Sequence, residues 1–319
     1  MKKNSYFIWP EARYLRGGVR SLRAAKTIDV EKFLSQMYAF GIPVVVSSAR
    51  SGISLSLIAQ NLSRGDSVEI FPYASHCVIE SIGRIANPIN YSVNNKNIFT
   101  LIYHQWGYIQ EREITDKRII EDAVDSFCVP GAKLFPLNGI YEIWSLPKLV
   151  GSLGGGVVWC RDDKTANELR DLRDNCKINK NLCWFLRLIS TYYKQLEPFW
   201  FSSESLNGSS PTWALADMLY GLEHWTEIAE KRKERLKIVE TLLPDWLKLQ
   251  KNRFPSVIPV YASEAQAEKI YEMGFLSGYR KFEKINSQGE STLVSLLPLP
   301  IHQDVPRSLL NKALKILKK

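Results

Sequence analysis

The chain reads as an α/β protein: a largely parallel sheet flanked by helices, followed by a smaller C-terminal α+β domain. Three observations predict this. Short Val- and Ile-rich runs recur through the first half of the 319 residues, mostly separated by segments with helical spacing. Those runs are apolar at successive positions, as strands buried on both faces must be. After residue 163 the pattern turns to charged and amphipathic helices and then to two further β-rich runs. The length allows two units, with a large domain over 1–205 and a bridging helix plus small domain over 206–319.

The first strand is "IPVVVSSA" (42–49), ending in small polar residues. A helix over 51–66 follows through Ile53, Leu57, Ile58 and Leu62, with Gly65 as its stop. Residues 67–72 form the next strand and 75–86 a helix. Strands are then expected at 89–93, 98–103, 118–124, 140–145 and 155–160. The link between "LIYHQWG" and "RIIED" is short for a helical crossover and is expected to be irregular. Residues 165–175 read as a charged surface helix. One long helix starts at Pro211 with Ser210 as its cap, runs through Leu215, Leu219, Leu222, Trp225 and Ile228, and stops at Pro244. Residues 256–262, a helix beginning "SEAQAEKIYEMG" and residues 293–300 make up the small domain.

Composition narrows the function classes. The hydrophobic fraction is 45% and the charged fraction 24%, ordinary for a globular protein. Apolar runs are too short to cross a bilayer, and Pro10, Glu11 and Arg13 interrupt any export signal, so a cytoplasmic protein is expected. Five dispersed cysteines without a CxxC pair fit a reducing compartment and argue against zinc. The net charge of +9 is spread out; its densest runs, "KRKERLK" (231–237) and the C-terminal "NKALKILKK", fit solvated helix faces. With no nucleic-acid module in the sequence, anionic small molecules are the expected partners, and no metal, nucleic acid or membrane.

Ligands of open parallel sheets bind beyond the carboxyl ends of the strands, and four such ends carry polar groups. The turn "SSARS" (47–51) opens a helix whose free amides suit a phosphate. His76 begins the next helix, and Asp122 ends "RIIED". Ser145 lies three residues before Lys148, which Gly151, Gly154, Gly155 and Gly156 follow. Phosphate turn, flat side chain, strand-end aspartate and lysine before a Gly-rich loop is the order that holds pyridoxal 5'-phosphate, which needs an amine for its aldehyde and an acid for its pyridine nitrogen. Bringing a lysine from ~10.4 to ~7.5 costs about 4 kcal/mol. Burial among Leu146, Pro147, Leu149 and Val150 is expected to supply that shift.

Several segments together resemble the DegT/StrS-type aminotransferases, fold-type-I pyridoxal-phosphate enzymes. "VSSARSGISLSL" is similar to the family's "vsSGtsAlhlal", "IIEDAV" to "viEDaAq" and "NGIYEIWSLPKLVGSLGGGVVWCRDD" to "GdfsvfSlrKllpvpdGGavvtdd". "ADMLYGLEHWTEIAEKRKER" and "VSLLPLPIHQDVPRSLL" extend the resemblance to the C-terminus. It implies Lys148 as the Schiff-base lysine and Asp122 as the pyridine partner, with Ala49, Arg50, Ser51 and Ser145 at phosphate positions and His76 as the flat ring. It also implies a homodimer, and transfer of an amino group from a donor such as glutamate to a keto substrate, a sugar among the candidates. Two departures stand out: Asp125 replaces the usual Gln or His beside the cofactor, and Asn207 is the nearest match to the "NyRm" segment. A dehydratase, or a non-catalytic relative of the same fold, are the alternatives.

Overall fold

A computed structural model describes residues 5–10, 24–92, 95, 97–110, 118–190, 192–285 and 290–318. In order, the chain contains α1 (Thr27–Met37), β1 (Ile42–Val46), α2 (Ala49–Ala59), β2 (Ser67–Ile70), α3 (His76–Gly83), β3 (Asn87–Asn90), β4 (Phe99–Tyr103) and β5 (Arg118–Asp122). It continues with the short β6 (Phe127–Cys128), β7 (Tyr141–Ser145), α4 (Leu146–Val150), β8 (Gly156–Cys160), α5 (Asp163–Asp174), α6 (Lys180–Ser190) and α7 (Glu197–Glu204). Then come α8 (Thr212–Glu223), α9 (Trp225–Val239), β9 (Arg253–Phe254), β10 (Val257–Val260), α10 (Glu264–Glu272), β11 (Arg280–Ile285), β12 (Ser291–Pro300) and α11 (Arg307–Leu317).

Seven strands form one sheet in the order β1-β8-β7-β5-β4-β2-β3. It is parallel except at β8, which runs antiparallel to both β1 and β7. Alternate residues feed two cores, as strand geometry requires. Val44, Val46 and Val158 join α2, α3 and α5 on one face; Val45, Val157 and Trp159 join α1 and α8 on the other. The sheet is thus buried on both faces, as the apolar runs predicted. Buried Glu31 pins α1 to its neighbours by accepting from Val45 N (3.0 Å) and pairing with Arg173 (2.6 Å). Beyond it, β10, β12 and β11 form an antiparallel sheet. A third core unites it with the end of α9 and with α10 and α11.

Several expected boundaries shift. The helix expected over 51–66 begins at Ala49 and ends ahead of Gly65, because Asn61 turns left-handed (φ 57°). Strand 89–93 is displaced to Asn87–Asn90, and residue 93 lies outside the described residues. The expected irregular link after β4 holds a single 3-10 turn at Gln105–Gly107, while 111–117 lie outside the described residues. Helix α5 is not only surface, since Ala166, Leu169 and Arg173 are buried.

The single long helix is two. Pro211 rather than Ser210 caps α8, and the chain breaks at His224. There the His224 Nδ1 donates to the Tyr220 carbonyl (2.8 Å), taking over a helix-end acceptor. Trp225 turns into the large core, where its indole donates to Cys128 O (2.7 Å) and its ring stacks on Phe127 at 4.1 Å. The basic run 231–237 is only in part a solvated face: Lys233 and Lys237 are exposed, but Arg232 and Arg235 are buried.

The antiparallel β8 brings Gly156 against the start of α2. A Cβ there would lie 2.5 Å from Ser48 C and 2.6 Å from Ala49 N, backbone atoms that cannot move alone. Gly156→Ala is expected to cost about 1–3 kcal/mol by overpacking. Gly83→Ala, at the last residue of α3 with open space around it, should instead stabilise by about 0.4–1 kcal/mol. Denaturant unfolding of the two variants checks the pair.

Candidate active site

Strand β7 passes directly into α4, a helix of one turn that carries Lys148. Pro147 fits its first turn, and Gly151 ends it in the left-handed region (φ 71°), donating to Pro147 O at 3.0 Å. Leu146 and Leu149 are fully buried, which leaves Lys148 at the rim with 27% of its side chain exposed. One turn of helix has little stability of its own. Its last carbonyls are held from outside: Arg232 Nη2 donates to Lys148 O (3.1 Å) and Leu149 O (2.8 Å), and Gln303 Nε2 donates to Leu149 O (3.3 Å). Arg232 Nε donates to Gln303 Oε1 (3.1 Å), and the guanidinium lies 4.7 Å over the Phe127 ring. Burial pulls Arg232 down to about 9, against the charges of Asp125 and Asp304, so it remains a cation at neutral pH.

The Lys148 amine does not sit in the apolar setting expected from its sequence neighbours. Its Nζ is 3.4 Å from Asp125 Oδ1 and 4.3 Å from the centre of the Trp9 ring. The Trp9 indole donates to the same Asp125 oxygen (2.6 Å), and the Tyr103 hydroxyl donates to Oδ2. Burial, then the charge of Asp125, push the Tyr103 phenol well above its usual range, so it stays a donor. Asp122 ends β5 with 2% exposure and accepts from Val124 N at 3.2 Å. Burial raises it to about 6; Lys148 pulls it back and Asp125 adds to the rise. Lys148, Asp122 and Asp125 are therefore brought together.

At the end of β1, Ser48 caps α2 by accepting from Ser51 N (3.1 Å), leaving the Ala49 and Arg50 amides among the first-turn donors. The segment 204–210 lies against this turn. Ser47 N donates to Gly208 O (3.1 Å), and the Ser47 and Ser51 hydroxyls both donate to the Asn207 carbonyl. The Arg50 side chain turns away: it pairs with Glu204, donates to Phe201 O (3.1 Å) and stacks 3.7 Å over the Phe201 ring. Only the Arg50 amide therefore faces the turn's anion position. Ser145 is buried as the last residue of β7, and His76 is exposed at the first turn of α3.

Sequence reasoning missed Trp9, Tyr103, Arg232 and Gln303. Tyr103 ends β4 and was open to the same strand-end rule that singled out Asp122. Arg232 lies four residues after Ile228 and four before Leu236, on the buried stripe of α9. Trp9 carries no signal of that kind, because only the fold brings the N-terminal segment to β5.

Residues 30–314 match a sequence family described as "Putative PLP-dependent aminotransferase". The chain belongs to this family. Among solved structures it is similar to a DegT/DnrJ/EryC1/StrS aminotransferase from Brucella abortus, at 12% identity and a TM-score of 0.66 over 96% of this chain and 95% of that one. It is also similar to DesI, crystallised with its TDP-sugar product (14% identity, TM-score 0.66, 100% and 93%). A third is PseC of Helicobacter pylori, an aminotransferase of pseudoaminic acid biosynthesis (12%, 0.63, 99% and 100%). At these identities the likeness is one of fold. No curated protein sequence matches.

The cofactor of this aminotransferase family is pyridoxal 5'-phosphate, and the residues present fit it. Beside the first turn of α2, the buried Asn207 side-chain nitrogen and oxygen have no oxygen or nitrogen partner among the described residues, although they neighbour the Cys183 thiol. Ser205 Oγ is also unpartnered among the described residues. An amine, a buried strand-end carboxylate and a helix N-terminus edged by unsatisfied polar groups are the donor set that an aldehyde, a pyridine nitrogen and a phosphate require. No helix among the described residues is long and apolar enough to cross a membrane.

Asp122 gives a pH prediction for the cofactor-free protein. Its native value is raised to about 6 from 3.8, so between those values the folded state holds a proton that the unfolded state has lost. Stability should fall as pH rises through that window, by up to about 3 kcal/mol. Asp122→Asn should flatten this fall and be the more stable protein at pH 7, as checked by denaturant unfolding from pH 4 to 7.

Proposed function

We propose that the chain transfers an amino group from a donor such as glutamate to a keto substrate of the sugar class, with Lys148 as the residue that carries the cofactor. The observation that carries this reading is the Lys148 amine, one turn past a strand end, 3.4 Å from Asp125 and with its charge acting on buried Asp122. Its partial exposure lets it be reached. The sugar class is supported by the structural neighbours DesI and PseC, whose descriptions name a TDP-sugar product and pseudoaminic acid biosynthesis.

When bound, the cofactor supplies an electron sink for the substrate's Cα. The chain's own groups do the rest. Asp122 would hold a proton at the pyridine nitrogen, since a carboxylate in a buried site favours a cationic partner. The Ala49 and Arg50 amides, at the positive end of α2, would bind the phosphate. Lys148 Nζ, once free, would take a proton from one carbon and return it to another. His76 would lie against the ring face, and Ser51, Ser145 and Asn207 would complete the phosphate side. The enzyme is proposed to work as a cytoplasmic homodimer, with units 1–205 and 206–319.

A non-catalytic relative is the second reading, favoured by the engagement of the Arg50 guanidinium and Ser51 hydroxyl within the chain. Purified protein loaded with pyridoxal phosphate and mixed with L-glutamate separates the two. The visible absorbance should be lost in one turnover and restored by a keto acceptor. Asp122→Asn should keep most of the cofactor affinity and slow that turnover by orders of magnitude. No absorbance change with any amino donor would refute the transferase reading.

A further inference from the structure

Asp125 lies three residues after Asp122, and the structure surrounds it with a specific set of partners. Its carboxylate is fully buried. One oxygen takes the Trp9 indole N–H and faces Lys148 Nζ; the other takes the Tyr103 hydroxyl. Trp9 reaches the site on a segment that is firmly held. Tyr6 forms a parallel bridge with Phe275, its N–H donating to Gly274 O and its carbonyl accepting from Leu276 N, both at 2.8 Å. His302 Nε2 donates to Phe7 O (2.9 Å), and Ile8 is buried with Trp106, Val257 and Phe282. Contacts with Phe275, His302, Val257 and Phe282 therefore hold this segment so that its indole lies on Lys148.

We propose that Trp9 is a positioning residue of the lysine site: its N–H, with the Tyr103 hydroxyl, fixes Asp125 as the acceptor facing Lys148 Nζ, and its ring covers that amine. The proposal rests on Lys148 as the cofactor lysine. Two donated hydrogen bonds disperse the carboxylate's charge. The ring adds a cation–π contact to the amine. Asp122 also acts on the amine, while His104 and Arg232 act on Asp122 and Asp125 respectively.

The test is a spectroscopic pH titration of the visible band of the protein loaded with pyridoxal phosphate. Trp9→Phe keeps a ring and loses the N–H, leaving more charge on Oδ1 to favour a protonated lysine nitrogen. Its midpoint should rise by about one unit, a tenfold change in the proton equilibrium. Tyr103→Phe should move it the same way, and Asp125→Asn should lower it. A purely structural Trp9 would change stability or occupancy and leave the midpoint in place, so unmoved midpoints in Trp9→Phe and Asp125→Asn overturn the proposal.

A second readout needs no cofactor. In the unloaded protein, Trp9→Ala should speed acetylation of Lys148 by acetic anhydride severalfold relative to exposed Lys269, measured by peptide mass. An unchanged ratio overturns the covering role. Absence of a visible band in wild-type protein would count against the cofactor reading itself, and the acetylation ratio would still decide whether Trp9 covers the amine.

Discussion

The position of Lys148 depends on Arg232. A helix of one turn cannot satisfy its own last carbonyls, and α4 must nevertheless hold an amine at a fixed point on the sheet rim. Arg232 supplies two of the missing donors from α9, and Gln303 supplies a third from the segment after β12. Burying a guanidinium is costly unless its hydrogens are used, and here Nη1 has no partner among the described residues. Such a group costs about 1–3 kcal/mol. The fold offsets this with the carbonyls, the Phe127 face and a cation placed at a helix C-terminus, where the dipole favours it. Because the end of α9 shares a core with the β10–β12 sheet, and Gln303 follows β12, the lysine's turn is held from that side of the fold.

The same logic orders the charges along β5. Successive residues point to opposite faces, so Glu121 and Asp122 have different fates. Glu121 is hydrogen-bonded to His104 Nε2 (2.8 Å) and accepts from Gly139 N (2.7 Å), and these bonds hold its carboxyl below the usual range against burial. Asp122 has one weak backbone donor and is pushed upward. One carboxylate is spent on structure, and its neighbour is left with unmet demand for a cation. That difference supports the proposed role of Asp122.

Strand ends were the most legible part of the sequence. Val-rich runs that need two apolar faces fixed the sheet, and the polar residues closing them located Lys148, Asp122 and the α2 turn. Orientation was less legible: an antiparallel β8 has the same apolar composition as a parallel strand, and only the close approach of Gly156 to Ser48 gives it a distinct requirement. The break at His224 was hidden because the apolar spacing continues through Trp225; the tertiary anchor on Cys128 re-aims the chain. Trp9 and Arg232 escaped for related reasons. The basic run around Arg232 suggested solvent and no local signal marked Trp9, whereas long-range contacts placed one behind the lysine's helix and the other on its amine.

Everything in the site converges on one nitrogen. Reduction of the pyridoxal-phosphate-loaded protein with borohydride, followed by peptide mapping, asks directly whether Lys148 carries the cofactor. The label is expected on Lys148 and should vanish, together with transamination, in Lys148→Ala. A label on another lysine, or turnover that persists with no label fixed, would contradict it.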